Sequence, residues 1–251
     1  MSRRPEPRIF DVLSTSVVTP NMLRVSIGGA ALDDFPDSQD GGYLKLRIPG
    51  PAPTDKPSVR TYTIRRQTAD ALDIDFVLHG EAGAGGPAVS WAQAARPGDR
   101  IAAGGPGPAK LLPPDADWYL VAGDMTALPA IAVALEALPD HAVGHAIIEI
   151  QTEADRQEFR HPAGIEIEWL VNPDQNPDVF EHALRAVPWR DGEVYGWCAT
   201  EFDEMRRARS YLRGERGLSP AQLYISSYWK QGLVEDQHRE VKQADAVATS
   251  A

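Results

Sequence analysis

The residues of this chain best suited to chemistry are Arg60-Thr61-Tyr62-Thr63-Ile64-Arg65. Tyr, Thr and Ile favour strands. Side chains alternate along a strand, so Arg60, Tyr62 and Ile64 fall on one face and Thr61, Thr63 and Arg65 on the other. A cation, an aromatic ring and hydroxyls in one short run are what a bound group with a phosphate and a flat conjugated ring would need. Arginine grips phosphate as a two-pronged fork. Tyrosine lies on the ring, and threonine hydrogen-bonds one of its oxygens. Taken alone, the same run also describes a half-exposed strand with cross-strand pairs.

A second feature follows it. Residues 81–92 read Glu-Ala-Gly-Ala-Gly-Gly-Pro-Ala-Val-Ser-Trp-Ala. The glycines loosen the backbone, and Pro87 suits a first helical position, which predicts a short helix over residues 88–95. Amides at such a helix start form an anion site. A glycine loop before a helix is also an ordinary connection. In the same domain as the arginines of RTYTIR, it reads as a pyrophosphate cradle.

The elements that must position these residues divide the chain in two. Residues 8–28 give two strands joined at Thr19-Pro20-Asn21, GGYLKLRIP gives a third, and RTYTIRR and ALDIDFVLHG give two more. IAAGGP closes the series after Arg96-Pro97-Gly98-Asp99. Strands without intervening helices predict an antiparallel barrel or sandwich. From Asp117 the pattern changes to alternating strands and helices. WYLVAG, VGHAIIEIQT, IEIEWLVN, EVYGWCAT and LYISSYW alternate with PAIAVALEAL, PDVFEHALRAV and a long helix from Glu201 to Gly217. That alternation predicts an α/β fold with a mostly parallel sheet. Ligands in such sheets sit at the carboxyl ends of strands, here residues 122–126, 151–152, 199–201 and 228–230. The expected domains are 1–113 and 114–251, with the boundary in the Pro-rich stretch 106–115. VEDQHREVKQA reads as a C-terminal helix that covers the border of the sheet or closes over a cofactor cleft.

Composition bounds the possibilities. The 251 residues are 43% hydrophobic, enough for real cores. A net charge of −11 argues against nucleic-acid binding, and an anionic ligand would need a local basic patch. One cysteine, Cys198, excludes an intrachain disulfide framework and fits a reducing compartment; it reads as an inert buried thiol. MSRRPEPRIF lacks the apolar stretch of a secretory signal, and no run is long enough to span a bilayer. The expectation is a cytoplasmic protein without membrane or nucleic-acid partners, a monomer or weak oligomer. The histidines show no ligand spacing, so no metal site is expected. Trp169, Trp189 and Trp197 read as packing residues.

An Arg-aromatic-Thr strand in a β domain, followed by an α/β domain, resembles the ferredoxin–NADP reductase superfamily. RTYTIR, DFVLHG, GGPAVSWA, RPGD, DWYLVAGDMTALPAI and YWKQGLVEDQHRE, in that order and spacing, resemble more specifically the siderophore-interacting proteins. These are flavin-dependent ferric-siderophore reductases, and the resemblance covers nearly the whole chain. It implies an N-terminal antiparallel β-barrel that binds FAD and a C-terminal α/β domain of the nicotinamide-binding kind, with NADH or NADPH as donor. Flavin would carry the chemistry, with no catalytic side chain assigned.

The resemblance further implies that Arg60, Thr61, Tyr62 and Thr63 hold the flavin. It places Asp75, Val77 and His79 of DFVLHG beside the cofactor, and Gly86, Ala88, Val89 and Ser90 around the pyrophosphate, with Trp91 behind. Asp124, Thr126 and Ala127 would line the nicotinamide side, and Tyr228 and Trp229 would approach the flavin. The chain departs from the family where Met125 replaces an acid and Thr200-Glu201 replaces a Gly-Glu pair. Glu149, Glu153 and Asp155 match a 2′-phosphate poorly, which favours NADH. Ferric catecholate chelates are anionic, and Lys45, Lys110 and Lys230 are the candidate steering cations. Each is also explained as a solvated surface charge. The alternatives are a flavin reductase exchanging electrons with a protein such as a ferredoxin, and a module that binds siderophore or flavin without turnover.

Overall fold

In β3 (Tyr43–Ile48), Leu44, Leu46 and Ile48 are buried while Lys45 and Arg47 stay exposed. This is the two-residue period of a strand with one wet face. β4 (Ser58–Gln67) runs antiparallel beside it, with Tyr62 opposite Leu44 and Arg60 opposite Leu46. Directly opposed residues point the same way, so Arg60 and Tyr62 share the inward face with Ile64. Thr61 stands opposite Lys45, and Thr63 opposite Tyr43, on the outward face. β1 (Arg8–Thr19), β2 (Met22–Gly28), β5 (Ala71–Val77) and β6 (Arg100–Gly107) complete a closed antiparallel barrel of order β1-β2-β5-β4-β3-β6. Register shifts in β1 after Val12 and Val17 supply local bends, which help such a sheet curl onto itself.

These features belong to a computed structural model that describes residues 6–50, 52, 54–78, 86–233 and 235–248. The chain forms two compact units, Met1–Leu111 and Leu112–Ala251. Phe10, Val12, Val25, Ile27, Ile74 and Phe76 lie in the barrel core, and α1 (Gly86–Ala94) adds Ala88 and Ala92 to the same cluster. Gly86 has φ 77° with open space where a Cβ would stand, so conformation rather than crowding requires glycine at the entry to α1.

The second unit holds a parallel sheet of order β11-β10-β7-β8-β9. Its strands are β7 (Trp118–Gly123), β8 (Val143–Ile150), β9 (Gly164–Val171), β10 (Val194–Glu201) and β11 (Leu223–Trp229). Every residue of β7 is buried, as befits a strand covered on both faces. The helices are α2 (Leu128–Glu136), α3 (Pro177–Ala186), α4 (Phe202–Arg209) and α5 (Glu235–Ala248). Phe180 and Leu184 of α3 and Ala208 of α4 share a core cluster with Trp118, Leu120 and Cys198. A Cβ on Gly123 would stand 2.5 Å from Ala199 O and 3.1 Å from Ala127 Cβ, so glycine here lets the start of α2 approach β7 and β10.

One helix differs from expectation. The run from Glu201 to Gly217 does not continue as a single α-helix: Ser210–Glu215 winds as a π-helix after α4. The wider turn buries Tyr211 and Leu212 together. The Arg216 amide then reaches Tyr211 O at 2.9 Å, and the Arg185 guanidinium lies 4.5 Å from the Tyr211 ring centroid. α5 lies along β11: Lys242 Nζ donates to Ser226 Oγ at 2.7 Å and Ser227 O at 2.8 Å, and Ser227 Oγ and His238 Nε2 are 2.8 Å apart. No helix among the described residues is long and apolar enough to cross a membrane.

Candidate functional site

In the barrel, the Tyr62 ring lies 4.3 Å from that of Phe76, tilted by 35°, and Phe76 lies 5.8 Å from Trp91. This ladder joins β4, β5 and α1. Tyr62 is anchored on the core yet half-buried, so part of its ring remains accessible. Arg60, one inward position along the strand, is also half-buried, and its Nη1 donates to Val59 O at 2.9 Å. Trp91 packs on the barrel core through Phe76. Ala88 and Val89 are both 5% exposed and Ser90 is exposed. Ala88 and Val89 therefore spend their side chains on packing, and what they can offer a ligand is backbone N–H. The first amides of a helix have no intrahelical partner, which gives the start of α1 its affinity for anions.

The other barrel residues divide. The Asp75 carboxylate is gripped by Arg24, Nε to Oδ1 at 2.7 Å and Nη2 to Oδ2 at 2.8 Å. Its oxygens are thus engaged on the outward face of β2 and β5, opposite in direction to the core residues Val25 and Ile74. Val77 ends β5 and is half-buried. Lys45 and Lys110 are exposed. His79 lies outside the described residues.

In the second unit, β8 and β9 extend to one side of β7, and β10 and β11 to the other. Strand order therefore reverses between β7 and β10, the place where open α/β sheets leave a crevice for ligands. Asp124 stands there, just past β7, and is 5% exposed. It accepts from the Thr126 amide at 2.8 Å and the Ala127 amide at 3.3 Å, fixing the turn into α2. Trp229 Nε1 donates to its Oδ2 at 2.7 Å. Burial pushes the Asp124 carboxyl above the usual range, while hydrogen bonds from Thr126 and Trp229 pull it back. Burial likewise raises the Tyr228 hydroxyl well above its ordinary value, and the Tyr228 ring meets Trp197 edge-on at 6.5 Å.

Lys230, a candidate steering cation, is paired with Asp203 at 2.9 Å and lies 4.7 Å over the Phe202 ring. The acids after β8 are not a surface cluster that would repel a phosphate. Glu149 is 4% exposed and Asp155 0%. Asp155 closes a capping box with Thr152, and exposed Glu153 pairs with Arg156 at 2.6 Å.

Glu204, not singled out from sequence, completes the region with three residues that were. Glu149, Thr200, Glu201 and Glu204 are all buried beside Asp124. Burial pushes Glu149 up to about 7, with Asn172 pulling it back and Asp124 adding repulsion; burial, then repulsion from Glu149, pushes Glu204 up to about 9. A single residue, Glu204, carries the visible signal for this cluster: an acid in the first turn after a strand end. On the outer side of α4, a groove of about 780 Å³ is lined by Arg206, Arg207, Arg209 and Arg213. Arg207 is matched by Asp178 and Glu181, and Arg206 and Arg209 by Asp245, so the groove is not a strongly cationic surface.

Comparison with known proteins places these features. Residues 48–110 match the family model described as a siderophore-interacting FAD-binding domain, and residues 116–232 match that described as siderophore-interacting protein. The ferric vibriobactin reductase ViuB of Vibrio cholerae is 34% identical over 94% of each chain. The NADPH-dependent ferric-chelate reductase of Escherichia coli is 27% identical over 88% of this chain and 92% of that one. The crystal structure of the siderophore-interacting protein SipS from Aeromonas hydrophila superposes with a TM-score of 0.85 at 31% identity, covering 96% of this chain and 98% of that one.

Proposed function

Because this chain belongs to the siderophore-interacting protein family, we propose that it is an FAD-dependent ferric-siderophore reductase that draws electrons from NADH or NADPH and releases ferrous iron. The observation that carries this reading is the barrel face on which Arg60 and Tyr62 stand together, with the Tyr62 ring braced by Phe76. The donor set fits FAD: an aromatic ring braced at the barrel wall, a guanidinium and a glycine-entered helix start. Bound FAD supplies the ability to accept a hydride and pass electrons on singly.

The chain's own residues bind and orient. Tyr62 lies against the ring system, and Arg60 places its charge on a phosphate. Thr61 and Thr63 point to the other face of β4, so what they offer a group held against Arg60 and Tyr62 is their backbone. The backbone amides of Ala88, Val89 and Ser90 cradle the pyrophosphate, with Gly86 permitting the turn. Val77, at the end of β5, flanks the cofactor. Asp75 serves the site indirectly, by fixing β5 against β2 through Arg24. Asp124, Thr126 and Ala127 line the nicotinamide side at the strand-order reversal, and Tyr228 and Trp229 complete it. Iron needs no protein ligand, because one electron loosens a hard-oxygen chelate. Lys45, Lys110 and Lys230 are the candidate steering cations for an anionic substrate, with Lys230 paired to Asp203. With Glu149 and Asp155 buried, fewer carboxylates face a 2′-phosphate, and either nicotinamide suits the site.

The test is the visible spectrum of the purified protein, followed by anaerobic reduction and addition of a ferric siderophore with a ferrous trap. Flavin bands that return as ferrous iron appears establish the reaction. A colourless protein that takes up no FAD overturns it. Reduction by a reduced ferredoxin and by neither nicotinamide would move the donor role to a protein partner.

A further inference from the structure

In a dinucleotide-binding sheet the pyrophosphate sits on a helix start beside the strand-order reversal, reached through a glycine-rich turn that lets backbone approach it. The helix starts at the reversal in this unit are those of α2, after β7, and α4, after β10. The turn into α2 reads Gly123-Asp124-Met125-Thr126-Ala127, one glycine followed at once by an acid.

Every backbone amide from Thr126 to Ile131 is already engaged. Asp124 Oδ1 accepts from the Thr126 amide at 2.8 Å, the Ala127 amide at 3.3 Å and the Thr126 hydroxyl at 2.5 Å. The Ala127 and Leu128 amides also reach Asp124 O, at 3.0 and 3.1 Å. The Ala130 and Ile131 amides reach Ala127 O, both at 2.9 Å, and Pro129 has no N–H. Asp124 Oδ2 takes the indole N–H of Trp229. The approach is closed sterically as well. Met125, Ala127 and Leu128 are buried, and Gln151 Nε2, just past β8, lies 3.8 Å from Met125 Sδ. A Cβ on Gly123 would collide with Ala199 O, and a space too small for a methyl group does not admit a phosphate.

α4 repeats the pattern. Its N-cap, Glu201, accepts from the Asp203 amide through Oε2 and from the Gln231 amide through Oε1 at 3.0 Å. Glu201, Glu149 near the end of β8 and Glu204 in the first turn of α4 are all buried. Lys230, the cation that follows β11, is paired with Asp203. Where a dinucleotide fold presents amides to an anion, both helix starts here hold a carboxyl group of the chain itself.

We propose that Asp124 and Glu201 exclude the pyrophosphate of the electron donor, so that the sheet border recognises reduced nicotinamide without its adenylate half and does not distinguish NADH from NADPH. The exclusion stands on the geometry of this unit; its consequence for the donor rests on reading the border as the nicotinamide site. A pyrophosphate arriving at α2 would give up its water, find the amides from Thr126 to Ile131 taken, and lie beside buried acids. Its phosphates therefore stay in solvent, and the 2′-phosphate, farther along the nucleotide, makes no contact that selects it.

The test compares donors and a fragment on the FAD-loaded full chain. Stopped-flow flavin reduction by NADH, NADPH and reduced nicotinamide mononucleotide, at an ionic strength that screens long-range charge, should give rate constants within about threefold of one another. One charge-assisted hydrogen bond to a pyrophosphate would set the dinucleotides above the mononucleotide by more than about tenfold, and that result overturns the proposal. ADP-ribose, which carries the pyrophosphate and adenylate alone, should give no saturable heat in calorimetry at about 1 mM; saturable binding overturns the proposal. Asp124→Gly and Glu201→Gly free the amides that the two carboxyl groups hold, and ADP-ribose should bind saturably to at least one of them. Two folded variants that bind none overturn the role of these acids; if neither folds, the wild-type donor series decides. If no nicotinamide reduces the wild-type flavin, the donor reading fails, while the ADP-ribose titration still decides the exclusion.

Discussion

Trp229 reaches across β10 to donate its indole N–H to Asp124 Oδ2 at 2.7 Å, joining the ends of two strands that are not neighbours in the sheet. Trp229→Phe keeps the ring packing and removes only the donor. A hydrogen bond to a buried charged group is worth about 1.5–3 kcal/mol, and the variant should lose that much stability at neutral pH in denaturant titration. The folded-state carboxyl of Asp124 is already raised, so its contribution to stability is complete below the unfolded value and declines as pH rises. Trp229→Phe should therefore sit closer to wild type in acid than at neutral pH. An equal loss at both would mean that the indole matters only as bulk.

The Arg24–Asp75 pair makes a separate prediction in the barrel. The Asp75 side chain is 1% exposed and that of Arg24 25%. Removing the arginine alone strands a buried carboxylate, at a cost of about 3–5 kcal/mol. Arg24→Leu should be severely destabilised, and the double variant Arg24→Leu/Asp75→Leu should recover most of the loss. Flavin content of the double variant separates a structural Asp75 from a cofactor-binding one: retained FAD supports the former.

Arg60→Ala should weaken FAD retention by about 1.5–3 kcal/mol, the worth of a charge-assisted phosphate contact, or about 10- to 150-fold in dissociation constant. Equilibrium dialysis against free FAD measures it. Full occupancy at dilute FAD would remove Arg60 from the site.

α5 should respond to acid. Burial, then nearby Lys242 and Lys230, hold the His238 ring down to about 4, against an ordinary 6.5. A depressed folded value means that its contribution is whole above about 6.5 and falls away as pH drops toward about 4. Protonation would add a third positive charge where Lys242 and Lys230 already stand. Hydrogen exchange at the amides of α5 should therefore accelerate between these limits before the rest of the unit opens. In His238→Gln the exchange should lose that dependence.

Much of this was legible in the chain. Alternation in YLKLRI and RTYTIR gave the inward face of β3 and β4, and the change from bare strands to strand–helix alternation gave the two architectures. The residues that were not legible fail for physical reasons. Glu149 occupies a strand end with other acids close by, and composition alone makes it a surface charge. Only the placement of Asn172, Glu204 and Asp124 around it, contributed by three different elements, turns it inward. Asp155 looks equally exposed until Thr152 is seen to form a capping box with it. Lys230 carries the right charge at a strand end, but its partner Asp203 lies on the next helix over in space. The π-helical turn at 210–215 depends on burying Tyr211 and Leu212 together, which a helical period does not predict.

The closed barrel has one consequence beyond binding. A sheet that returns to its first strand has no unpaired row of amides and carbonyls, so the barrel strands among the described residues offer no template for another chain to add to. The second sheet has two such rows. β9 meets this hazard with Glu166 and Glu168, exposed along its length. β11, reading LYISSYW, has no charge of its own and the composition of a fibril-forming segment. Its protection is α5, clamped by Lys242, His238 and Asp245. Cutting the chain before residue 234 should leave a protein that aggregates through β11 in a concentration-dependent way, detectable by light scattering and thioflavin fluorescence, even where its flavin content is intact.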